Sequence, residues 1–320
     1  MPSSTRRTVL AAVGSAGAAA LAGCADLGSR SRRSYALDVD RLDHPIGAYA
    51  RWQPDDGTDH PWAAERRAAW EAAVTGERYT TYGYPPLPDE EYTEREGRYY
   101  RLHVDVTGSE RIERSVLRLR WVGRAEDADV DAVPYEGLPP LDRRAVVPAY
   151  VAARARENGG GAPWAVVERG GAVYRHLDDA ESELAPTPGH AYVAVHGTVL
   201  AVEVSQERLV EPAYTATATQ VADSPAAFER VADAALVDVR LAPRDLSAAA
   251  RDLLVRTVGG DAYREETPLS EAYRDLLAAL DLRELLALSP DACRGEVRND
   301  RYLRFDGDYH RYACYVNTVE

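Results

Sequence analysis

Three stretches of the chain alternate apolar and polar side chains with the period of a strand, and each begins at a glycine. In GRYYRLHVDV (97–106), Tyr100, Leu102, Val104 and Val106 share one face, and Tyr99, Arg101, His103 and Asp105 share the other. GTVLAVEV (197–204) sets Leu200, Val202 and Val204 against Val199, Ala201 and Glu203. GDYHRYACYV (307–316) sets His310, Tyr312, Cys314 and Val316 against Tyr309, Arg311, Ala313 and Tyr315, a more polar version of the same pattern. Each glycine follows a tyrosine by five residues (Tyr92, Tyr192, Tyr302), as a glycine-centred hairpin turn would place it.

Helical periodicity precedes each hairpin. Segments 61–76, 141–161 and 246–260 carry start signals at Asp59 and Pro61, at Asp142, and at Ser247 or Asp245. All three end on glycine, and an aromatic follows three residues later: Tyr79, Trp164 and Tyr263. Pro148 is expected to kink or split the second helix. Further helices are expected over 224–236 and 269–289, the latter started by Ser270, and 165–177 reads as an extra hairpin. The pattern predicts an α+β fold of three consecutive helix–antiparallel-hairpin modules, over 37–124, 125–212 and 213–320. Chance agreement of the offsets is the alternative.

The amino terminus is of a different kind. Arg6 and Arg7 precede a mild Ala/Gly run that ends at Cys24, too short for a helix spanning about 20 residues of bilayer. Residues 1–23 read as an export signal of the twin-arginine type. Leu21-Ala22-Gly23-Cys24 resembles a lipobox, which implies a lipid on Cys24 as membrane anchor and a tether over 24–36. Arg30, Arg32 and Arg33 of the tether would either meet anionic head groups or form a solvated linker.

Composition narrows the partners. Against 52 acidic residues stand 38 basic ones, every one an arginine, for a formal charge of −14. The leader holds two arginines and no acid, so its removal makes the chain more acidic by two. That balance argues against nucleic acid as a partner. Together with the twin-arginine leader it resembles the secreted lipoproteins of salt-loving archaea, in whose molar salt carboxylates repel one another little. The resemblance implies an extracellular, membrane-anchored location and brings no activity with it. A coding bias toward arginine would also explain the missing lysine. Tyrosine outnumbers phenylalanine 19 to 2, so many rings are expected to be half-buried with a polar end in use.

Catalytic signatures are absent from the sequence: no HExxH, no P-loop, no GxGxxG after a strand, and no GxSxG after the leader. His190 and His196 would lie roughly 20 Å apart on a strand, too far to share a metal. Asp127, Asp129 and Asp131 open like a calcium loop, but Ala132 and Leu138 stand where glycine and glutamate are needed. The expectation is therefore no metal and no cofactor. Tyr99, Tyr309 and Tyr315 are placed outward and could stack on a ligand such as a glycan, or simply pair across strands. With Cys24 lipidated, Cys293 and Cys314 remain as an even pair outside the cytoplasm and are expected to form a disulfide, two buried unpaired thiols being the alternative. The sequence points to a non-catalytic binding or structural lipoprotein of the cell envelope. A transporter's solute-binding lipoprotein and an envelope hydrolase are the alternatives.

Overall fold

The structure, a computed structural model, describes residues 32–54, 63–158, 168–177, 181–287 and 296–319. The chain runs through β1 (Arg32–Arg41), α1 (Ile46–Ala50), α2 (Ala63–Thr75), β2 (Tyr79–Tyr82), β3 (Tyr92–Arg95) and β4 (Arg98–Arg124). After β5 (Val133–Pro134) come α3 (Pro140–Asn158), β6 (Ala172–Val173), β7 (Tyr192–Val195), β8 (Thr198–Ala222), α4 (Pro225–Leu236) and β9 (Val237–Leu241). The remainder is α5 (Ala248–Thr257), β10 (Tyr263–Glu266), α6 (Glu271–Ala279), α7 (Arg283–Leu286), β11 (Glu296–Phe305) and β12 (Asp308–Val319).

The three hairpins form where the alternation places them. Their turns hold Glu96-Gly97, His196-Gly197 and Asp306-Gly307, and both residues of each pair have positive φ: 55° and 77°, 48° and 73°, 50° and 90°. Two successive left-handed residues make the turn whose twist matches the flanking strands, and glycine takes the second position without strain. The three-module architecture, however, does not exist. The fold is mixed α/β and β-rich, with two sheets and no helix–hairpin repeat among the described residues. The reason is pairing beyond the turn. β4 and β8 run on for 27 and 25 residues and pair with each other from Tyr99↔Ala222 to Arg124↔Thr198. Two of the presumed modules thus share one ribbon, while β11 and β12 belong to the other sheet.

Contacts divide the chain into two units. Unit 1 contains, of the described residues, 32–41, 241–287, 296–306 and 310–319. Its sheet places β1 between β10 and β12, antiparallel to both, with β11 beside β12. The register sets Tyr35, Leu37 and Val39 opposite Val316, Cys314 and Tyr312, so one buried face carries all six. Leu253 and Leu254 of α5, Tyr273, Leu276 and Leu277 of α6, and Leu285 of α7 are buried with them. Ser247 and Ser270 cap α5 and α6 by accepting from the N–H groups of Ala250 and Tyr273. Tyr35 donates its hydroxyl to the carbonyl of Leu285, and Tyr312 to that of Leu280, each at 2.9 Å. These carbonyls end short helices and have no donor within them, which is one use for tyrosine in place of phenylalanine.

Unit 2 comprises Leu42–Arg240 with Gly307–Tyr309, and the β4–β8 ribbon is its spine. Its sheet is ordered β3-β4-β8-β7-β5, with β2 on β8 and β6 on β4. A bulge inserts Thr107 into β4 between the Val106↔Tyr214 and Gly108↔Ala213 pairs. One extra residue reverses the parity of everything beyond it. Leu102 and Val104 therefore share a face with Leu117 and Leu119, as their partners Ala218, Ala216, Val204 and Val202 on β8 confirm. Helix α2 packs on this face at one end through Ala69 and Ala73, with Leu87, Leu102 and Ala216. Helix α3 packs at the other through Ala145, Val146, Ala149 and Ala153, against Leu117, Val193 and Leu200. It runs unbroken through Pro148, against the expectation of a split.

Two expectations of burial need correction. Val106 is 63% exposed, because helix cover ends at Val104 and the bulge follows at once. Tyr99 points outward from α2 but is only 6% exposed. Helix α4 covers that opposite face, with the Phe228 ring stacked on Tyr99 at 4.2 Å and edge-on to Tyr92 at 5.6 Å. The segment expected as a hairpin over 165–177 gives only the short β6, on β4, and 165–167 lie outside the described residues.

Candidate functional site

Between α2 and α3, on the covered side of the ribbon, unit 2 has a cleft of about 410 Å³. Leu141, Arg144, Ala145 and Pro148 form its α3 wall, at the i, i+3, i+4, i+7 spacing of one helix face. Glu65 and Arg66 enter from the first turns of α2, Tyr84-Pro85-Pro86 from the loop after β2, and residues 171–176 from β6 and its continuation.

Glu65 organises one side. The Tyr84 hydroxyl donates to its Oε1 at 2.5 Å, and Nδ1 of His176 lies 3.3 Å from its Oε2. The Tyr84 and His176 rings meet edge to face at 4.9 Å, and His176 is only 5% exposed. Burial, and then the hydrogen bond to Glu65, push the Tyr84 hydroxyl well above its ordinary value, so it stays protonated. Tyr174, in the floor, is raised in the same way by burial and by its bond to Asp142.

Two buried carboxylates fix the cleft from behind. Asp142 is fully buried and accepts from the Tyr174 hydroxyl at 2.7 Å, the Ser182 hydroxyl at 2.6 Å and the Glu183 N–H at 2.7 Å. It is thus a hub rather than the helix cap suggested by its position. Glu211 of β8 is 2% exposed and accepts from Arg175 Nε at 2.8 Å and Arg114 Nε at 2.9 Å. Gly83 passes directly over this pair with φ +83°, and a Cβ there would stand 2.4 Å from both the Arg175 Nε and the Glu211 Oε1. Only glycine fits, in backbone and in space.

Among the described residues, the charged ones in the lining are Glu65, Arg66, Arg144, Arg169, Arg175 and, when protonated, His176. Arg144 is half-buried, and both burial and the nearby charge of Arg66 lower its affinity for its proton. Among the described lining residues there is no serine, threonine or cysteine to act as a nucleophile. The arrangement can hold a polar head group against apolar walls.

Asp89, Glu90 and His103 bring their ligand atoms within 4.8 Å of one another at the surface of unit 2. Each carboxylate is engaged already: Glu90 pairs with Arg101 and with His103, and Asp89 accepts from the Val104 N–H at 3.0 Å. His190 bonds Glu183 at 2.8 Å, and His196 sits in the β7–β8 turn against Tyr150.

The residues singled out from the sequence are elsewhere. Arg6, Arg7, Cys24 and Cys293 lie outside the described residues. Cys314 has a free, buried thiol, which burial pushes up to about 12, so it behaves as a small apolar group. Tyr99 is in the core of unit 2, Tyr309 donates to Asp233 at 2.9 Å, and Tyr315 is 38% exposed on unit 1. None of them lines the cleft. The residues that do were missed, although an arginine at the centre of the apolar α3 stripe was a visible signal. Comparison of the chain with protein-family models, curated proteins and solved structures returned no match.

Proposed function

We propose that the chain is a lipoprotein held outside the cytoplasmic membrane by Cys24, and that its folded part captures a small organic molecule in the cleft of unit 2. The location rests on the leader and its lipobox; no helix among the described residues is long and apolar enough to cross a membrane. The binding reading rests on the cleft itself, which pairs an apolar helix face with a few convergent polar groups at a volume suited to a small ligand. Capture is favoured over catalysis because Tyr84 and His176 already engage Glu65, and no nucleophile stands beside it among the described residues.

A neutral solvatochromic dye, Nile red, should bind the mature protein with a blue shift, and Ala145→Phe or Val173→Trp, which fill the cleft, should remove that signal. Equal dye binding by parent and by both variants, each with parental circular dichroism, would exclude this cleft as the site. The anchor is tested separately. Cys24→Ser should be exported and released into the medium, since the lipid is its only strong hold on the membrane. A variant that still sediments with membranes would refute the lipid anchor.

A further inference from the structure

We infer that the cleft takes a short peptide in extended conformation, which adds as a strand to the free edge of β6. This rests on the reading of the cleft as a binding site and names what that site takes.

The first observation is the direction of the main-chain groups in β6. Ala172 and Val173 pair antiparallel with Leu117 and Val116 of β4, and the Tyr174 N–H donates to the Ser115 carbonyl at 2.9 Å. In an antiparallel ladder, residues that exchange hydrogen bonds alternate with residues that do not. Tyr174 bonds to β4, so its neighbour Val173 turns both its N–H and its C=O away from β4. Among the described residues no strand pairs with β6 on that side, and neither group has a hydrogen-bond partner.

The second is what lies on that side. Val173 is half-buried and lines the cleft, as does every residue from Gly171 to His176. Main-chain groups set back from water are stabilised when they are paired. An N–H and a C=O presented by one residue match the C=O and N–H of one residue in an extended chain, which is recognition by strand addition. A ligand that carries only donors or only acceptors would satisfy half of the pair.

Third, Pro85, Pro86, Leu141, Ala145 and Pro148 supply carbon surface on two sides. The prolines and the alanine lose no rotamer freedom on binding, so the walls are preorganised. Side chains of an added strand would alternate between the two faces of the sheet, and α3 already covers one of those faces beside Ala172.

Calorimetric titration of the mature protein, in molar potassium chloride, compares acetyl-Ala-Leu-Ala-amide with its analogue N-methylated at all three residues. Methylation removes N–H donors and adds carbon, so a cleft that reads apolar bulk alone would bind the analogue at least as well. The unmethylated tripeptide is expected to bind roughly tenfold more tightly, as the loss of one or two hydrogen bonds implies. Val173→Pro removes the edge N–H and spares the ladder to β4, which does not use it. With parental circular dichroism and Nile red still bound, this variant should hold the tripeptide roughly fivefold more weakly. Equal or tighter binding of the methylated analogue overturns the inference, as does tripeptide binding unchanged in Val173→Pro. The comparison of ligands needs no variant, so it decides alone if Val173→Pro does not fold. If the tripeptide does not bind while Nile red binds in a manner lost in Ala145→Phe, the peptide is wrong and the cleft reading stands. If the dye fails as well, both fall.

Discussion

Asp142→Ala is expected to lower the stability of unit 2 by about 4 kcal/mol, and the melting temperature by roughly 10 °C. The carboxylate is fully buried and has three donors: two hydroxyls and one backbone N–H. Hydrogen bonds to a charged group contribute about 1.5–3 kcal/mol each. The burial cost of the carboxylate, which disappears with it, offsets part of their sum. What remains is the larger loss, because the Tyr174 hydroxyl and the Glu183 N–H are left without their acceptor in a site that water enters poorly. Tyr174→Phe removes one donor and leaves the hub otherwise intact, so about 1–2 kcal/mol is expected from it. Chemical denaturation of both variants checks the assignment. If Asp142→Ala proves no more damaging than Tyr174→Phe, the carboxylate is not the hub. Because Tyr174 forms the floor of the cleft, Asp142→Ala should also weaken ligand capture.

How much of this was legible in the sequence depended on the range of the interaction. The three hairpin turns were legible because Gly97, Gly197 and Gly307 sit where left-handed backbone is needed, a requirement met within four residues. The caps Ser247 and Ser270 were legible for the same reason. What each strand does after its turn is decided by its partner, so the joining of β4 to β8 had no local signature. The Thr107 bulge had no local signature either, and Val106, on the same face as Leu102 and Val104 just before it, was expected in the core although helix cover has ended by that point. Tyr99 was misread because a helix more than one hundred residues away covers the face that alternation marks as outer. The tyrosine surplus was expected as half-buried rings, whereas Tyr35, Tyr174 and Tyr312 are fully buried. Tyr35, Tyr312, Tyr84 and Tyr174 each direct a hydroxyl at a named acceptor, and the ligand-stacking role foreseen for Tyr99, Tyr309 and Tyr315 has no counterpart at the cleft. The cleft unites Glu65, Arg144 and His176, which no spacing rule connects.

Glu211→Ala is expected to cost about 3 kcal/mol, for a reason different from that at Asp142. Here one carboxylate faces two guanidinium groups, and its loss leaves two cations of like sign in contact range with no acid between them. Removing one partner of a buried pair typically costs about 3–5 kcal/mol. The lower end applies because the Arg114 and Arg175 side chains are each about one-fifth exposed and keep some hydration. Double-mutant cycles separate the contributions: Arg175→Ala alone, Glu211→Ala alone, and both together. Since Glu211 and Arg175 touch, the double variant should be less destabilised than the two single losses combined, by about 1–3 kcal/mol. Additive losses would mean that the contact contributes nothing and that Glu211 is tolerated rather than used. The position of the pair gives the result a wider reach. Glu211 belongs to the ribbon, Arg175 follows β6, and Gly83 closes over both from the end of β2. The ion pair therefore joins the segment that carries His176 to the ribbon beside the loop that carries Tyr84. Glu211→Ala should loosen both walls at once and weaken Nile red binding, even though Glu211 is not among the residues that line the cleft.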